Sequence, residues 1–351
     1  MTPPVATQSV TRTLSRRAFS LIELLVVITI IAVVIAITVP ALSGARELAR
    51  KSATQGTINS LVQGAGQFSA DNSRAPGYFS QDEMGDPENI NRGFSSMQNI
   101  MLDLIGGPVE SSASAGLLQV GPSSSAEVDV DPALINVGDN SKGYYTPNGK
   151  EYQTVVGKNA SNVDHLDLPD VVDAWGMPIL AWVQNDIGSV MNDNSMISDF
   201  AQISTGASPD PARYYWAQNS AALSATALGQ RQIDQNTQSL IGGSVMDANR
   251  VNHLTALLGS PSSSVKSDRT YSAILPRVGR GSIVFQSAGP DRIYLSNKDK
   301  GYGRLGGEFL FGRNLTPNAN VNAGQYPRKD GTQGSIDIVE GFDDVVNASG
   351  N

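Results

Sequence analysis

One long apolar stretch near the N-terminus constrains this chain more than any other feature. Residues 19–42 have the sequence FSLIELLVVITIIAVVIAITVPAL, and Glu23 is the only charged residue among them. A helix needs about 20 mostly apolar residues to cross a bilayer, and this stretch supplies them. Arg12, Arg16 and Arg17 precede it, and by the positive-inside rule they keep the leader in the cytoplasm. The sequence therefore predicts one membrane-spanning helix, with the rest of the chain on the far side.

Glu23 is the unexpected residue of this stretch. A carboxylate at membrane depth costs about 3 kcal/mol on insertion scales, so a compensating group is expected. Cleavage after Ala18 would leave a positive α-amine on Phe19, four residues before Glu23. In an assembly, Glu23 of one subunit can then neutralise the amine of the next subunit, because Coulomb attraction is strong where the dielectric constant is low.

The residues around that bond resemble the cleavage and methylation motif of type IV pilins and type II secretion pseudopilins. Residues 16–25, RRAFSLIELL, match it in order: a small residue before the cut, Phe after it, then Leu-Ile-Glu-Leu. Ala18 stands where the family commonly has Gly. The resemblance implies a prepilin peptidase that cuts between Ala18 and Phe19, and N-methylation of Phe19. It also implies other pilin or pseudopilin subunits and an inner-membrane assembly platform as partners.

Two other interpretations of the stretch stay open. A plain signal anchor would also span the bilayer, but it gives no reason for Glu23. An ordinary secretory signal peptide could be cut near Ser43-Gly44-Ala45, where the residues are small. Its apolar core would then be too long, and the glutamate would be a liability.

The pattern after the membrane stretch predicts a second, amphipathic half of the same helix. Ile58, Leu61, Val62, Ala65 and Phe68 recur at helical spacing and form one apolar stripe. The expected fold is α+β: a long N-terminal helix on a mainly antiparallel sheet from the C-terminal half, with large loop insertions. The predicted segments are a leader at 1–18, a membrane half-helix at 19–42, an amphipathic half at 43–72, and an extracytoplasmic pilin-like domain at 73–351 with insertions at about 77–165 and 186–275.

Local patterns predict several further elements. Helices are expected at 95–105, 213–228 and 245–258, a hairpin at 144–156 around Pro147-Asn148-Gly149, and a flexible insertion at 111–126. An apolar strand is expected at 179–183. Residues 281–296, GSIVFQSAGPDRIYLS, predict strand, turn and strand.

Two segments of the C-terminal half resemble those of major pseudopilins. Residues 173–178, DAWGMP, match an Asp-x-Trp-Gly-x-Pro segment, in which Gly176 and Pro178 set a tight turn. We interpret Trp175 as a structural residue that closes the base of the sheet against the helix. The Ser-Ala-Gly-Pro-Asp turn at 287–291 is similar to the pseudopilin C-terminal region.

Acidic residues near the C-terminus predict a calcium site. In the pseudopilins that the chain resembles, the loop after the turn often binds calcium. Clustered Asp oxygens around glycine turns suit a hard cation such as Ca²⁺. The spacing matches no fixed calcium loop, Arg292 stands where the family often has Gly, and a solvated acidic face is the alternative. The candidate ligands are Asp291, Asp299, Asp337, Asp343 and Asp344.

Other chemistry is absent from the sequence pattern. A net charge of -8 argues against nucleic acid as the main partner, and without cysteine there is no thiolate chemistry. His165 and His253 are isolated, and the glycine pattern at 301–306 opens no helix. The sequence therefore predicts a structural subunit, not an enzyme. A type IV pilin used for adhesion or DNA uptake and a membrane-tethered exported binding domain are the alternatives.

Overall fold

The computed structural model divides the chain into two compact units, residues 1–49 and residues 50–351. The leader and Phe19 lie outside the residues that the structure describes. The described residues are 20–105, 116–131, 143–185, 213–243, 248–259, 279–299, 326–327, 333–334 and 338–349.

Helix α1 is a single 52-residue element from Leu21 to Asn72, and it continues through Pro40. In the first unit its apolar side chains are exposed, from Leu21 at 81 % to Leu42 at 54 %. By length and composition, α1 is long and apolar enough to cross a membrane. The structure thus confirms the predicted long apolar N-terminal helix.

Within the second unit, the same helix buries one face. The predicted stripe is confirmed for Ile58, Leu61, Ala65 and Phe68, all of which are buried, whereas Val62 is half-buried. Position 64 belongs to the same buried face and requires glycine, because an added Cβ would come within 2.8 Å of the Tyr144 carbonyl oxygen. The buried residues of this half are Thr54, Thr57, Ile58, Leu61, Gly64, Ala65 and Phe68.

Short helices and antiparallel strands make up the rest of the second unit. All described strand pairs are antiparallel, which confirms the α+β fold class. The further helices are α2 (Gln81–Met84), α3 (Asn89–Arg92), α4 (Ser96–Ile105), α5 (Val163–Asp167), α6 (Ser220–Leu223), α7 (Gln235–Gln238) and α8 (Ala248–Leu258). The strands are β1 (Leu118–Ser123), β2 (Ala126–Val130), β3 (Tyr152–Gln153), β4 (Asp170–Val171), β5 (Leu180–Val183), β6 (Ile283–Ser287), β7 (Tyr326–Pro327), β8 (Gln333–Gly334) and β9 (Val345–Ser349).

The central sheet has the order β5-β6-β9, and its strands β5 and β6 are buried on both faces. Successive side chains of a strand point to opposite faces, and here they enter two different cores. Ala181, Val183 and Phe285 pack with the buried face of α1 and with α4. Leu180 and Trp182 pack instead with residues of 213–258, which form the layer on the outer face. The described part of the predicted second insertion is therefore a structural layer that covers the sheet.

The segment after β6 differs from its prediction. A second strand is expected up to residue 296, but β6 ends at Ser287 and a series of turns follows. The backbone groups that such a strand would use are bonded elsewhere. Leu295 N–H donates to the Asp344 carboxylate over 3.0 Å, and the Leu295 carbonyl accepts from Leu240 N–H over 2.9 Å.

Three other local predictions are wrong in part. The turn at 148–151 is present, but β3 pairs with β4 and not with the residues before the turn. The described part of the segment expected as a flexible insertion belongs to the β1–β2 hairpin. The helix expected at 213–228 is reduced to a 3₁₀ turn, Trp216–Asn219, followed by α6. The helices at 96–105 and 248–258 and the strand at 180–183 are confirmed.

A buried polar cluster fixes the segment around α5. Lys158 Nζ lies 2.6 Å from Asp170 Oδ2, and both side chains are 2 % exposed. His165 Nε2 accepts from Gly121 N–H, so its Nδ1 donates to the Arg92 carbonyl. Burial lowers the pKa of His165 to about 4, which keeps the ring neutral. The isolated histidine thus has a structural role.

The packing of α1 predicts the effect of one truncation. Ile58→Ala should lower the free energy of unfolding by about 2–5 kcal/mol, because it leaves a cavity in a side-chain cluster with no access to solvent. Denaturant unfolding of the full chain in detergent measures this loss. Leu48→Ala, at a position that is 71 % exposed on the same helix, is the matched control. Equal losses in the two variants would contradict the packing.

Candidate functional site

Glu23 lies in the first turn of α1, and its carboxylate closes the start of the helix. Glu23 Oε2 accepts a hydrogen bond of 2.9 Å from Ser20 N–H. This is one half of a capping box, in which a Glu three residues after the N-cap satisfies a backbone donor. The helix dipole also favours a negative charge at this end. The Ser-x-x-Glu spacing of the sequence could have revealed this bond, which the sequence analysis missed.

The surroundings of Glu23 in its own unit are apolar. Leu21, Ile22, Leu24 and Leu25 flank it, and each is at least half exposed. A single N–H donor satisfies part of the carboxylate but does not neutralise its charge. A carboxylate held this way at the start of an apolar helix is available to a cation from outside the helix. Ala18 and Phe19, the predicted cleavage residues, lie outside the described part of the chain.

A second candidate site brings together three of the five predicted calcium ligands. Asp291, Asp299 and Asp343 each offer a carboxylate oxygen, and these oxygens lie within 4.8 Å of one another. Asp291 and Asp299 belong to the turns after β6, and Asp343 precedes β9. We call these three residues the acidic triad. Two backbone bonds connect its members: Asp291 N–H donates to Asp343 Oδ2 over 3.2 Å, and Asp343 N–H donates to Asp299 Oδ2 over 3.3 Å.

Close backbone packing holds the triad in place. Gly289 has a φ of +68°, and an added Cβ would lie 2.5 Å from the Asp343 carbonyl oxygen. Only glycine tolerates both the positive φ and this approach. The Gly of the Ser-Ala-Gly-Pro-Asp turn is thus needed to bring the turn against Asp343.

Burial and mutual repulsion make the triad costly without a cation. Burial, followed by the negative charges of Asp291 and Asp299, raises the pKa of Asp343 to about 7. Burial also raises the pKa values of Asp291 and Asp299. Asp343 Oδ1 is buried and accepts no hydrogen bond from the described part of the chain. Three carboxylates in one place, one of which has an oxygen without a donor among the described residues, fit a hard cation.

The other two predicted ligands are not part of the triad in the described structure. Asp344 is buried, and its carboxylate accepts from Leu295 N–H over 3.0 Å and from Gln286 Nε2 over 2.7 Å. It thereby ties the turn after β6 to the start of β9. Asp337 lies outside the described residues.

Asp173, the first residue of the Asp-x-Trp-Gly-x-Pro segment, holds the Trp175 turn in place. Asp173 Oδ1 accepts from the backbone N–H groups of Trp175 and Met177, and Oδ2 accepts from Ser287 Oγ. The turn packs on α1, where Ala174 N–H donates to Thr54 Oγ1 over 3.1 Å. Beside it lies a groove of about 600 Å³, lined by Ala53 and Thr57 of α1, by Arg292 and by parts of residues 148–156, 172–177 and 228–233.

Comparison with known proteins gives one match. Residues 14–39 match the family model for the prokaryotic N-terminal methylation motif. The chain therefore carries this motif, consistent with a prepilin-type pilin or pseudopilin, and the confirmed resemblance points to a structural subunit. Neither the comparison with curated proteins nor that with solved structures gives a match.

The pKa of Asp343 predicts that removing its charge stabilises the chain. With a folded pKa of about 7 against an ordinary 3.8, the Asp343 carboxyl contributes stability that is fully present below pH 3.8 and is lost as the pH rises from 3.8 through 7. Asp343→Asn should therefore raise the Tm at pH 8 in chelator by about 2–4 °C, a modest gain because solvent screens a half-buried group. Thermal melts at pH 5 and pH 8 measure this. Asp167→Asn, at an exposed carboxylate, is the control, and a lower Tm for Asp343→Asn at pH 8 would contradict the repulsion.

Proposed function

We propose that this chain is a pilin-like structural subunit that is cut between Ala18 and Phe19 and methylated on Phe19. It then polymerises through α1 into a type II secretion pseudopilus or a related type IV filament. The observation that carries the proposal is the methylation motif at 14–39, which includes a glutamate inside an apolar helix. Before assembly the chain is a single-pass protein of the bacterial inner membrane, with its second unit in the periplasm.

The proposed assembly step is a pairing of charges. After cleavage, the Phe19 amine of one subunit meets the Glu23 carboxylate of the next in lipid or in the filament core. The exposed apolar face of α1 provides the remaining contact, because these side chains have no partner among the described residues of their own unit. The charge pair sets the axial register between neighbouring subunits, and packing of the apolar side chains supplies the buried contact area between them.

Two segments favour a pseudopilin over other filament subunits. The Trp175 turn and the turn at 287–291 resemble those of major pseudopilins, and both are integrated into the sheet. The layer over the outer sheet face adds bulk at the side of a filament, which favours a specialised or tip subunit. That layer is also the best support for the second candidate, a membrane-tethered exported binding domain that uses only the leader and α1.

We also propose that the acidic triad holds Ca²⁺. When bound, the ion would supply positive charge to the three carboxylates of Asp291, Asp299 and Asp343. The triad would then join the turns after β6 to the start of β9. The ion would have a structural role in this proposal, since the triad lies between backbone segments of the same unit.

The charge pairing predicts a separation of processing from assembly. Glu23→Ala should still insert and lose its leader, because the apolar stretch and Ala18 are unchanged, but filament yield should fall at least about tenfold, the effect of losing ~1.4 kcal/mol per contact. Electron microscopy and immunoblotting of sheared filaments measure the yield. Glu47→Ala, at the other glutamate of α1, is the matched control. Normal filaments from Glu23→Ala would contradict the charge pairing. If the unmodified chain, after cleavage, stays as dispersed monomers, the membrane-tethered binding domain is favoured instead.

The calcium proposal predicts a cation-dependent melting temperature. A ligand at one hundred times its dissociation constant stabilises the folded chain by about 2.7 kcal/mol. Calcium should therefore raise the Tm of the unmodified chain above its value in chelator, and it should have little effect on Asp343→Asn. Differential scanning calorimetry of the full chain in detergent measures both. An unchanged Tm in saturating calcium would remove the proposal.

A further inference from the structure

Four cations of the second unit have no acidic partner among the residues that the structure describes. All four are exposed: Arg50, Lys51, Lys150 and Arg231. Other cations of this unit do pair, as Lys158 does with Asp170. The difference is notable in a chain of net charge -8, where acidic side chains outnumber basic ones.

Two of the four cations line the groove beside the Trp175 turn, and the other two precede it on α1. Lys150 and Arg231 line the groove directly, together with Ala53 of α1. Arg50 lies on the same helical face as Ala53, one turn earlier, because residues three or four apart are neighbours on a helix. Lys51 lies one turn before Thr54, the residue that binds the Trp175 turn. We call these four residues the cationic rim.

The acids of the groove are occupied by bonds within the chain. Glu151 accepts from Thr57 Oγ1 over 3.0 Å and from Asn148 N–H over 3.4 Å. Asp173 is 5 % exposed, and its carboxylate binds the turn and β6. Three basic side chains line the groove, Lys150, Arg231 and Arg292, against these two acidic ones, so the net charge of the lining is positive.

An apolar side chain accompanies the positive charge. Val156 lines the groove and is 59 % exposed, although most large apolar residues of this unit are buried. A surface that combines Lys and Arg with exposed apolar groups is typical of proteins that lie at the lipid headgroup boundary.

We propose that the cationic rim binds the phosphate groups of anionic phospholipid in the membrane that α1 enters. Arg50 and Lys51 follow the apolar stretch on the same helix, so lipid phosphate is the anionic chemistry closest to them along the chain. Lys150 and Arg231 extend the same positive surface, and Val156 adds an apolar contact. The inference rests on the membrane anchoring proposed above, and it is independent of polymerisation.

The experiment uses the full chain inserted in lipid nanodiscs. The native sequence has no cysteine, so Gln153→Cys places a single spin label on an exposed residue of the groove. Asn91→Cys, at an exposed residue of α3 outside the groove lining, is the matched control. Collisions with a water-soluble nickel reagent are compared in phosphatidylcholine discs and in discs that also contain phosphatidylglycerol.

We expect the label at position 153 to be less accessible in the anionic discs and the label at position 91 to be unchanged. Salt at 1 M should abolish the difference, because the Debye length falls to about 3 Å. Lys150→Gln and Arg231→Gln are then introduced into the labelled chain. Each should lower the ratio of membrane-bound to membrane-free groove about fivefold, because each removes one positive charge.

Three results would overturn the proposal. Equal accessibility in the two lipids would exclude phosphate binding. Protection that persists in phosphatidylcholine and requires several copies in a disc would assign the groove to a second copy of the chain. Chains that do not co-elute with the discs would refute the anchoring itself, while filament assays on the same variants report separately on polymerisation.

Discussion

A carboxylate held in an apolar helix is the constraint on which the rest of the structure depends. Among the described residues of its own chain, Glu23 accepts one hydrogen bond, from Ser20 N–H, and this bond does not neutralise the carboxylate among its leucine and isoleucine neighbours. Insertion of such a charge into the membrane costs about 3 kcal/mol. The Coulomb attraction of a positive group 4 Å away contributes about 4 kcal/mol at an effective dielectric constant of 20. A free amine on Phe19 would offset part of the cost of burying Glu23, because moving the amine out of water also costs free energy, and the proposed leader cleavage is the step that creates it.

The second half of the same helix packs against the central sheet. Its later half supplies the inner core, where Ile58 and Leu61 pack with Phe285 of β6. Both faces of a three-stranded sheet must then be covered, and the outer face is covered by residues of 213–258 around Trp182. This division explains why a pilin-like chain carries an additional segment: without it, the outer side chains of β5 and β6 would be exposed to water.

Sequence reasoning was successful where the signal is periodic and local. The apolar stretch, the stripe from Ile58 to Phe68, α4 and β5 were predictable from spacing alone. It failed where backbone groups bind distant side chains, as at Leu295, whose N–H is taken by Asp344 and not by a neighbouring strand. Three triad members could be named in advance, but their separation from Asp344 depends on the Gly289 turn and on Gln286, contacts that no spacing rule contains.

The mass of the mature N-terminus tests the central claim most directly. Protein isolated from cell membranes would be digested, and its first peptide identified by mass spectrometry. The account predicts a peptide that begins at Phe19 and carries one added methyl group on its amine, with the apolar segment intact. A chain that still begins at Met1, or one that has lost residues 19–42, would contradict it, because Glu23 would then lack the positive chain end or would itself be absent.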